Sequence, residues 1–203
     1  MPSYPSPSGE ARAEIREKGS VFLAVLGPVA GEEEAKARLA AVEREFPDAT
    51  HCCWAWRLGD PARERARERS SDAGEPAGTA GMPILQVLRG AGLSDVLAAV
   101  VRWFGGTKLG KGGLARAYAA AAREALSRMP IAVRVPTARL ALRIPYMKVG
   151  AVKRLVHPPE VELEAEEYGE EARLVLAVHE DRVAALREVL ADLGICDTVV
   201  VEG

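Results

Sequence analysis

The stretch that most constrains this chain is Ala98–Tyr118, AAVVRWFGGTKLGKGGLARAY, where an unalternating apolar run meets a glycine-rich basic segment and then a helix start. Val96 to Phe104 reads as a strand buried on both faces, because apolar and polar residues alternate only where one face of a sheet meets water. Gly105, Gly106, Gly110, Gly112 and Gly113 follow at once. They predict a loop whose backbone takes positive φ or lets another backbone or a ligand come close. Leu114 to Met129 then has helical spacing, with Leu114, Tyr118, Ala121, Ala122, Ala125 and Met129 along one side. From Val96 to Arg123 the charged residues are Arg102, Lys108, Lys111, Arg116 and Arg123, all of them basic. A strand, a glycine turn and a helix N-terminus bind anions when their N–H groups point outward. Such glycines also serve simple tight turns, and loop lysines are commonly just solvated. Both readings stand at this level.

Two nucleotide motifs come close and fail. Gly105, Gly110 and Lys111 fit the first seven positions of a P-loop, but Gly112 stands where the Mg²⁺-binding Ser or Thr belongs. Gly110, Gly112 and Ala115 fit G-x-G-x-x-A, yet no acidic residue follows at the end of a next strand to hold a ribose.

A second glycine-rich segment, SDAGEPAGTAG, precedes the strand. Gly74, Pro76, Gly78 and Gly81 forbid regular structure and shape a loop, and Thr79 is placed to cap a helix of about two turns beginning at Met82. Asp72 and Glu75 are the acid/base candidates near the basic loop. The competing structural role is turn-making, with Asp72 bonding its own backbone and Glu75 anchoring a loop N–H or Arg102.

Ser71 to Pro83 (SDAGEPAGTAGMP) together with Arg102 to Tyr118 (RWFGGTKLGKGGLARAY) resembles the bacterial YigZ family, whose N-terminal domain is shared with the eukaryotic IMPACT proteins. The resemblance implies an α+β fold in two domains, here 1–133 and 134–203. The first would be an IMPACT-type domain similar to a ribosomal-protein and small-molecule-kinase β-α domain. The second would be a ferredoxin-like βαββαβ domain similar to a terminal domain of translation elongation factor G. It also implies a place in translational control under stress. IMPACT proteins carry an extra N-terminal interaction domain, whose partner contacts are not expected of a chain that starts almost directly at its first strand.

Elsewhere, Met1 to Gly9 reads as a short flexible leader without the apolar core of a signal peptide, and no run approaches the length of a membrane span. A cytoplasmic location is expected. Ala11–Arg16 and Val21–Leu26 flank Gly19 as a hairpin, and Gly31–Phe46 reads as an amphipathic helix stopped by Pro47. Thr50–Leu58 reads as a strand, so adjacent Cys52 and Cys53 point to opposite faces and do not converge on a metal. Asp60–Ser70 reads as helix or strand, with the extended form favoured. Arg63, Arg65, Arg67 and Arg69 would then share one face and enlarge the basic surface.

After Pro130 the pattern changes to strand 138–144, helix 148–157, strands 160–168 and 172–178, helix 181–193 and strand 197–201, a βαββαβ order. His157 and His179 fall at element ends, where exposure is expected. Residues 1–136 hold 19 Lys and Arg against 16 Asp and Glu, whereas 137–203 hold 8 against 13. The acidic second module repels phosphate, so nucleic-acid contact belongs to patches on the first.

The leading expectation is a non-enzymatic, nucleic-acid- or ribosome-associated protein. Its phosphate-tracking surface would be Arg102, Lys108, Lys111 and Arg116 on the loop glycines, and its partners RNA, the ribosome or a translation-related protein. The alternative is a binder or enzyme that encloses a phosphorylated small molecule between the two glycine-rich loops. No Ser-His-Asp, Cys-His or H-E-x-x-H arrangement offers hydrolase chemistry. No metal or cofactor is expected, and oligomeric state leaves no mark in the sequence.

Overall fold

A computed structural model describes residues 3–60, 67–195 and 198–201. They form two compact units, one of Ser3–Arg134 and one beginning at Val135.

The first unit contains strands β1 (Tyr4–Pro7), β2 (Ala11–Glu17), β3 (Ser20–Pro28), β4 (His51–Leu58), β5 (Arg67–Ser71), β6 (Val96–Trp103) and β7 (Ile131–Arg134). Its helices are α1 (Glu32–Glu45), α2 (Gly81–Gly90) and α3 (Gly110–Ser127). The main sheet has the order β2-β3-β6-β4-β5, and each neighbouring pair is antiparallel. Strand β6 lies at its centre, which explains the missing alternation. Val96, Ala98 and Val100 join the core beneath α2 and α3, while Leu97, Ala99 and Val101 face the opposite side, where α1 packs. An antiparallel sheet usually keeps one wet face. Here helices cover both.

Cys53 is buried on the α2–α3 side and Cys52 lies against the α1 side, as adjacent residues on one strand must. Burial pushes both thiols up to about 12, which makes them poor nucleophiles at neutral pH.

Tyr4–Pro7 is not a free leader. It pairs in register with Ile131–Arg134, and Tyr4 is buried with its hydroxyl donating to Asp95 Oδ2 at 2.7 Å. Asp95 also accepts from Arg134 Nη1 (2.6 Å) and the Gly59 N–H (2.8 Å). The partner strand stands far along the chain, so no local pattern announces the pairing. The segment 67–71 is extended, as favoured; residues 61–66, including Arg63 and Arg65, lie outside the described residues.

The second unit contains β8 (Thr137–Ile144), α4 (Tyr146–Lys153), β9 (Val161–Tyr168), β10 (Ala172–His179), a 3₁₀ turn Glu180–Arg182 leading into α5 (Val183–Asp192), and β11 (Thr198–Val201). The sheet order β11-β8-β10-β9 is antiparallel throughout, as in a ferredoxin-like βαββαβ unit. Leu140, Leu142, Ile144, Leu174, Leu176 and Val178 point to one face and bury against α4 and α5 through residues such as Val152, Leu186 and Leu190. Helix α4 stops at Lys153 rather than reaching His157, which instead forms a bridge with Val161 across Pro158 and Pro159. His179 is buried, against expectation, because β10 runs one residue further and pairs it with Thr137.

The turn between β2 and β3 meets the segment that follows β6 through two glycines in backbone contact. A Cβ on Gly105 would lie 1.8 Å from the Gly19 carbonyl carbon, whereas one on Gly112 would meet only the flexible Arg116 guanidinium at 3.4 Å. Gly105→Ala should therefore lower unfolding free energy by about 1–3 kcal/mol through overpacking. Gly112→Ala, in the first turn of α3, should be neutral or stabilising by up to about 1 kcal/mol. Urea denaturation of the two variants measures both signs.

Candidate anion-binding site

Asp72 builds the first signature loop. Its Oδ1 accepts the N–H groups of Ala80 and Gly81 (both 2.9 Å), and its Oδ2 accepts that of Gly78 (2.8 Å). It thus caps α2 from a position well before the helix. Burial raises the carboxyl's pKa and these backbone donors lower it; the donors prevail, and it sits below the usual carboxylate range. Thr79, expected as the cap, instead donates its hydroxyl to the Pro76 carbonyl at 2.6 Å. Two residues of β4 tether the loop: His51 Nδ1 donates to the Ala73 carbonyl (2.9 Å) and Cys53 Sγ to the Asp72 carbonyl (2.9 Å). Gly74 and Gly78 take φ of +88° and +75° there, and Gly81 presses on the backbone of Ser71, closer than any Cβ allows.

Glu75 turns inward. It is 8% exposed, accepts from Arg102 Nη1 at 2.5 Å and from the Tyr118 hydroxyl at 2.8 Å, and so joins the first loop to β6 and to α3. Arg102 is 5% exposed, with its guanidinium over the rings of Phe22 and Phe104 (5.4 and 5.5 Å). Phe22 packs edge-on against Tyr118 at 5.1 Å. Arg102 therefore does not share a solvent surface with the loop lysines, contrary to the sequence expectation. A lone arginine in an apolar run that is buried on both faces needs a buried carboxylate. Of the roles open to Glu75 in the sequence, acid/base group or anchor of a loop N–H or of Arg102, the last is the one observed.

The second loop is pinned at its start. The Phe104 N–H donates to Thr50 Oγ1 (3.0 Å) and the Gly105 N–H to Ser20 Oγ (3.1 Å). The glycines then divide by role. Gly105 makes the contact with Gly19, and Gly106 and Gly110 take φ of +85° and +70° with open space where a Cβ would stand. Gly110, Gly112 and Gly113 belong to the first turn of α3 rather than to the loop.

That turn carries the exposed charge. The N-cap position is Leu109, no side chain caps the helix, and its first turn has no acidic residue. The leading N–H groups of an 18-residue helix are thus left without a side-chain acceptor. Lys108, Lys111 and Arg116 are exposed around it, and none makes an ion pair among the described residues. Phe104, 47% exposed, is the aromatic the loop presents, whereas Tyr118 is buried and Trp103 donates from Nε1 to Asp48 Oδ2 at 3.0 Å. Arg67 and Arg69 do not extend this surface. They stand in register with Leu58 and Trp56 on the α1 side of the sheet, at the opposite edge from the strands that carry α3, and Arg67 pairs with Glu32 at 3.1 Å.

Comparison with known proteins places these elements. The Impact N-terminal domain matches residues 18–126, and a domain of unknown function, DUF1949, matches 142–194. The chain belongs to the YigZ/IMPACT family. The "IMPACT family member YigZ" of Escherichia coli is 34% identical over 192 residues, 95% of this chain and 94% of that one. The "IMPACT family member in pol 5'region" of Thermus thermophilus is 45% identical over 157 residues, 77% of this chain and 83% of its own length. A solved structure described as "Crystal structure of an hypothetical protein" matches with a TM-score of 0.74 at 32% identity, covering 100% of this chain and 98% of that one. Both glycine-rich signatures lie inside the Impact N-terminal match. No described helix is long and apolar enough to cross a membrane.

The two carboxylates of the signature loop yield separate tests. Asp72 has a depressed folded-state pKa, so its stabilisation is complete above the unfolded value near 4 and fades as pH falls through the folded value. Asp72→Asn should cost about 1–2 kcal/mol at pH 7, as for a lost helix cap, and should flatten the acid limb of a stability–pH curve. Glu75→Ala should cost about 3–5 kcal/mol because it strands a buried guanidinium, and adding Arg102→Met should recover part of that loss in urea melts.

Proposed function

We propose that the protein is a translation-associated module that holds nucleic-acid phosphates at the N-terminus of α3. The observation that carries this reading is the uncapped, acid-free first turn of an 18-residue helix, ringed by exposed Lys108, Lys111 and Arg116. Unsatisfied N–H groups and the helix dipole favour an anion there, and three side-chain cations with no carboxylate partner among the described residues add long-range attraction. Gly106, Gly110, Gly112 and Gly113 keep the backbone bare of Cβ atoms where a phosphate would approach. These four glycines and three cations are the binding surface in this reading, with buried Arg102 and the Gly105–Gly19 contact as its support.

The place in translational control that the resemblance to the IMPACT proteins implies favours structured RNA, including ribosomal RNA, as the source of the phosphates. Backbone tracking suits the surface better than base readout, because it presents one aromatic, Phe104, and no row of stacking platforms. An enzymatic reading would need a free base. Asp72 spends its oxygens on three backbone donors, and Glu75 is sealed between Arg102 and Tyr118.

Fluorescence anisotropy with a structured RNA and a DNA duplex across a salt series tests this. Affinity should fall with salt, and the Lys108→Ala, Lys111→Ala, Arg116→Ala variant should bind at least about tenfold more weakly, with a salt slope shallower by about 2 to 3. Preference for RNA would support the ribosomal reading. Absence of binding at low salt would refute nucleic-acid contact, and a thermal-shift series with phosphorylated small molecules would then decide whether the same helix end takes a free phosphate group.

A further inference from the structure

The second unit has a sheet face that its own helices do not use. On strands with one wet face, outward residues are expected to be polar. Here the central outward row is apolar across all four strands: Val199 stands opposite Ala141, Ala141 opposite Val175, and Val175 opposite Ala165. Val199 is 62% exposed, and the row lines a depression of about 700 Å³. The small side chains of Ala141 and Ala165 leave the hollow between the taller valines.

The adjoining rows differ in how their charges are met. On one side Arg139 is held by Glu164 through contacts of 2.6 and 3.3 Å. On the other, Arg143 and Arg173 stand directly opposite each other on β8 and β10, an arrangement that costs stability in an antiparallel pair. Glu167 is in register with Arg173, yet neither arginine makes an ion pair among the described residues. An apolar floor edged by two adjacent guanidiniums, neither ion-paired among the described residues although Glu167, Glu170 and Glu171 line the hollow beside them, fits a ligand with an apolar stripe beside carboxylates.

We infer that this face docks a short acidic amphipathic helix from a protein partner. The row spans three strand spacings, about 14 Å, which is the length of about ten helical residues, and a helix is the layer that covers an apolar sheet face. Apolar residues at i, i+3 or i+4 and i+7 sit on the valines and alanines, and Asp or Glu beside them meets Arg143 and Arg173. Nucleic acid fits poorly, because the floor has no aromatic on which a base could stack.

The test is a displayed library of randomised helical peptides of about sixteen residues, selected on the full chain. Enriched peptides should share the apolar spacing with acidic neighbours. They should bind the Arg143→Glu, Arg173→Glu variant and, independently, the Val199→Glu variant at least about tenfold more weakly. The Lys108→Ala, Lys111→Ala, Arg116→Ala variant should bind them as wild type does, which separates this face from the α3 site. All substituted side chains are exposed, and circular dichroism melts check that each variant folds. The inference is overturned if no peptide is enriched, or if enriched peptides are basic or indifferent to both sheet variants. It is also overturned if sedimentation shows self-association abolished by Val199→Glu, or if RNA affinity falls with the sheet charge reversal and not with the α3 variant.

Discussion

The first unit depends on one buried ion pair. Glu75 and Arg102 lie within the core, and each is tolerable there only because the other is present. Tyr118 supplies the further donor that a doubly accepting carboxylate oxygen uses, so three segments far apart in sequence meet at one atom, Glu75 Oε1. Burial, with Cys53 and Glu75 close by, pushes the Tyr118 hydroxyl well above its ordinary range, so it stays a donor at any physiological pH. The pair therefore fixes the Asp72 loop against the strand and helix that carry the basic turn. Both glycine-rich signatures are parts of one packed unit.

The same pair explains why charge alone misleads in this sequence. Five basic residues stand between Val96 and Arg123, and the strand geometry divides them. Arg102 sits within a strand sealed on both sides, so it turns into the core and takes a carboxylate; Lys108, Lys111 and Arg116 follow the strand's end and reach water. The glycines divide likewise. Gly105 is an answer to Gly19 across the sheet, whereas the open space at Gly106 and Gly110 leaves room for a ligand.

The two units manage their sheets differently, and their surfaces follow from that. The first covers both faces with helices and offers solvent a helix end. The second covers one face, and its free face carries an apolar row with arginines beside it. A cationic helix end and an apolar floor suit different chemistries, phosphate in one case and a protein helix in the other. One chain thus carries two independent binding candidates.

Much of this was legible in the residues. The unalternating run at Val96–Trp103, the helical spacing of Leu114 to Ala125, the hairpin around Gly19 and the βαββαβ order all follow from local periodicity and turn chemistry, which depend on neighbours in sequence. The two signatures were likewise enough to identify the family. What required the tertiary structure was every pairing across distance: Tyr4–Pro7 with Ile131–Arg134, Asp72 rather than Thr79 as the cap of α2, and the burial of Arg102. The in-register apolar row of the second sheet is of the same kind. Val199, Ala141, Val175 and Ala165 are unremarkable in their own strands and become a surface only when the register aligns them. Sequence determines which segments fold and which face each buries, because those preferences are local. Which charges remain free for a ligand is decided by long-range packing, because a buried charge must find its partner wherever the fold brings one.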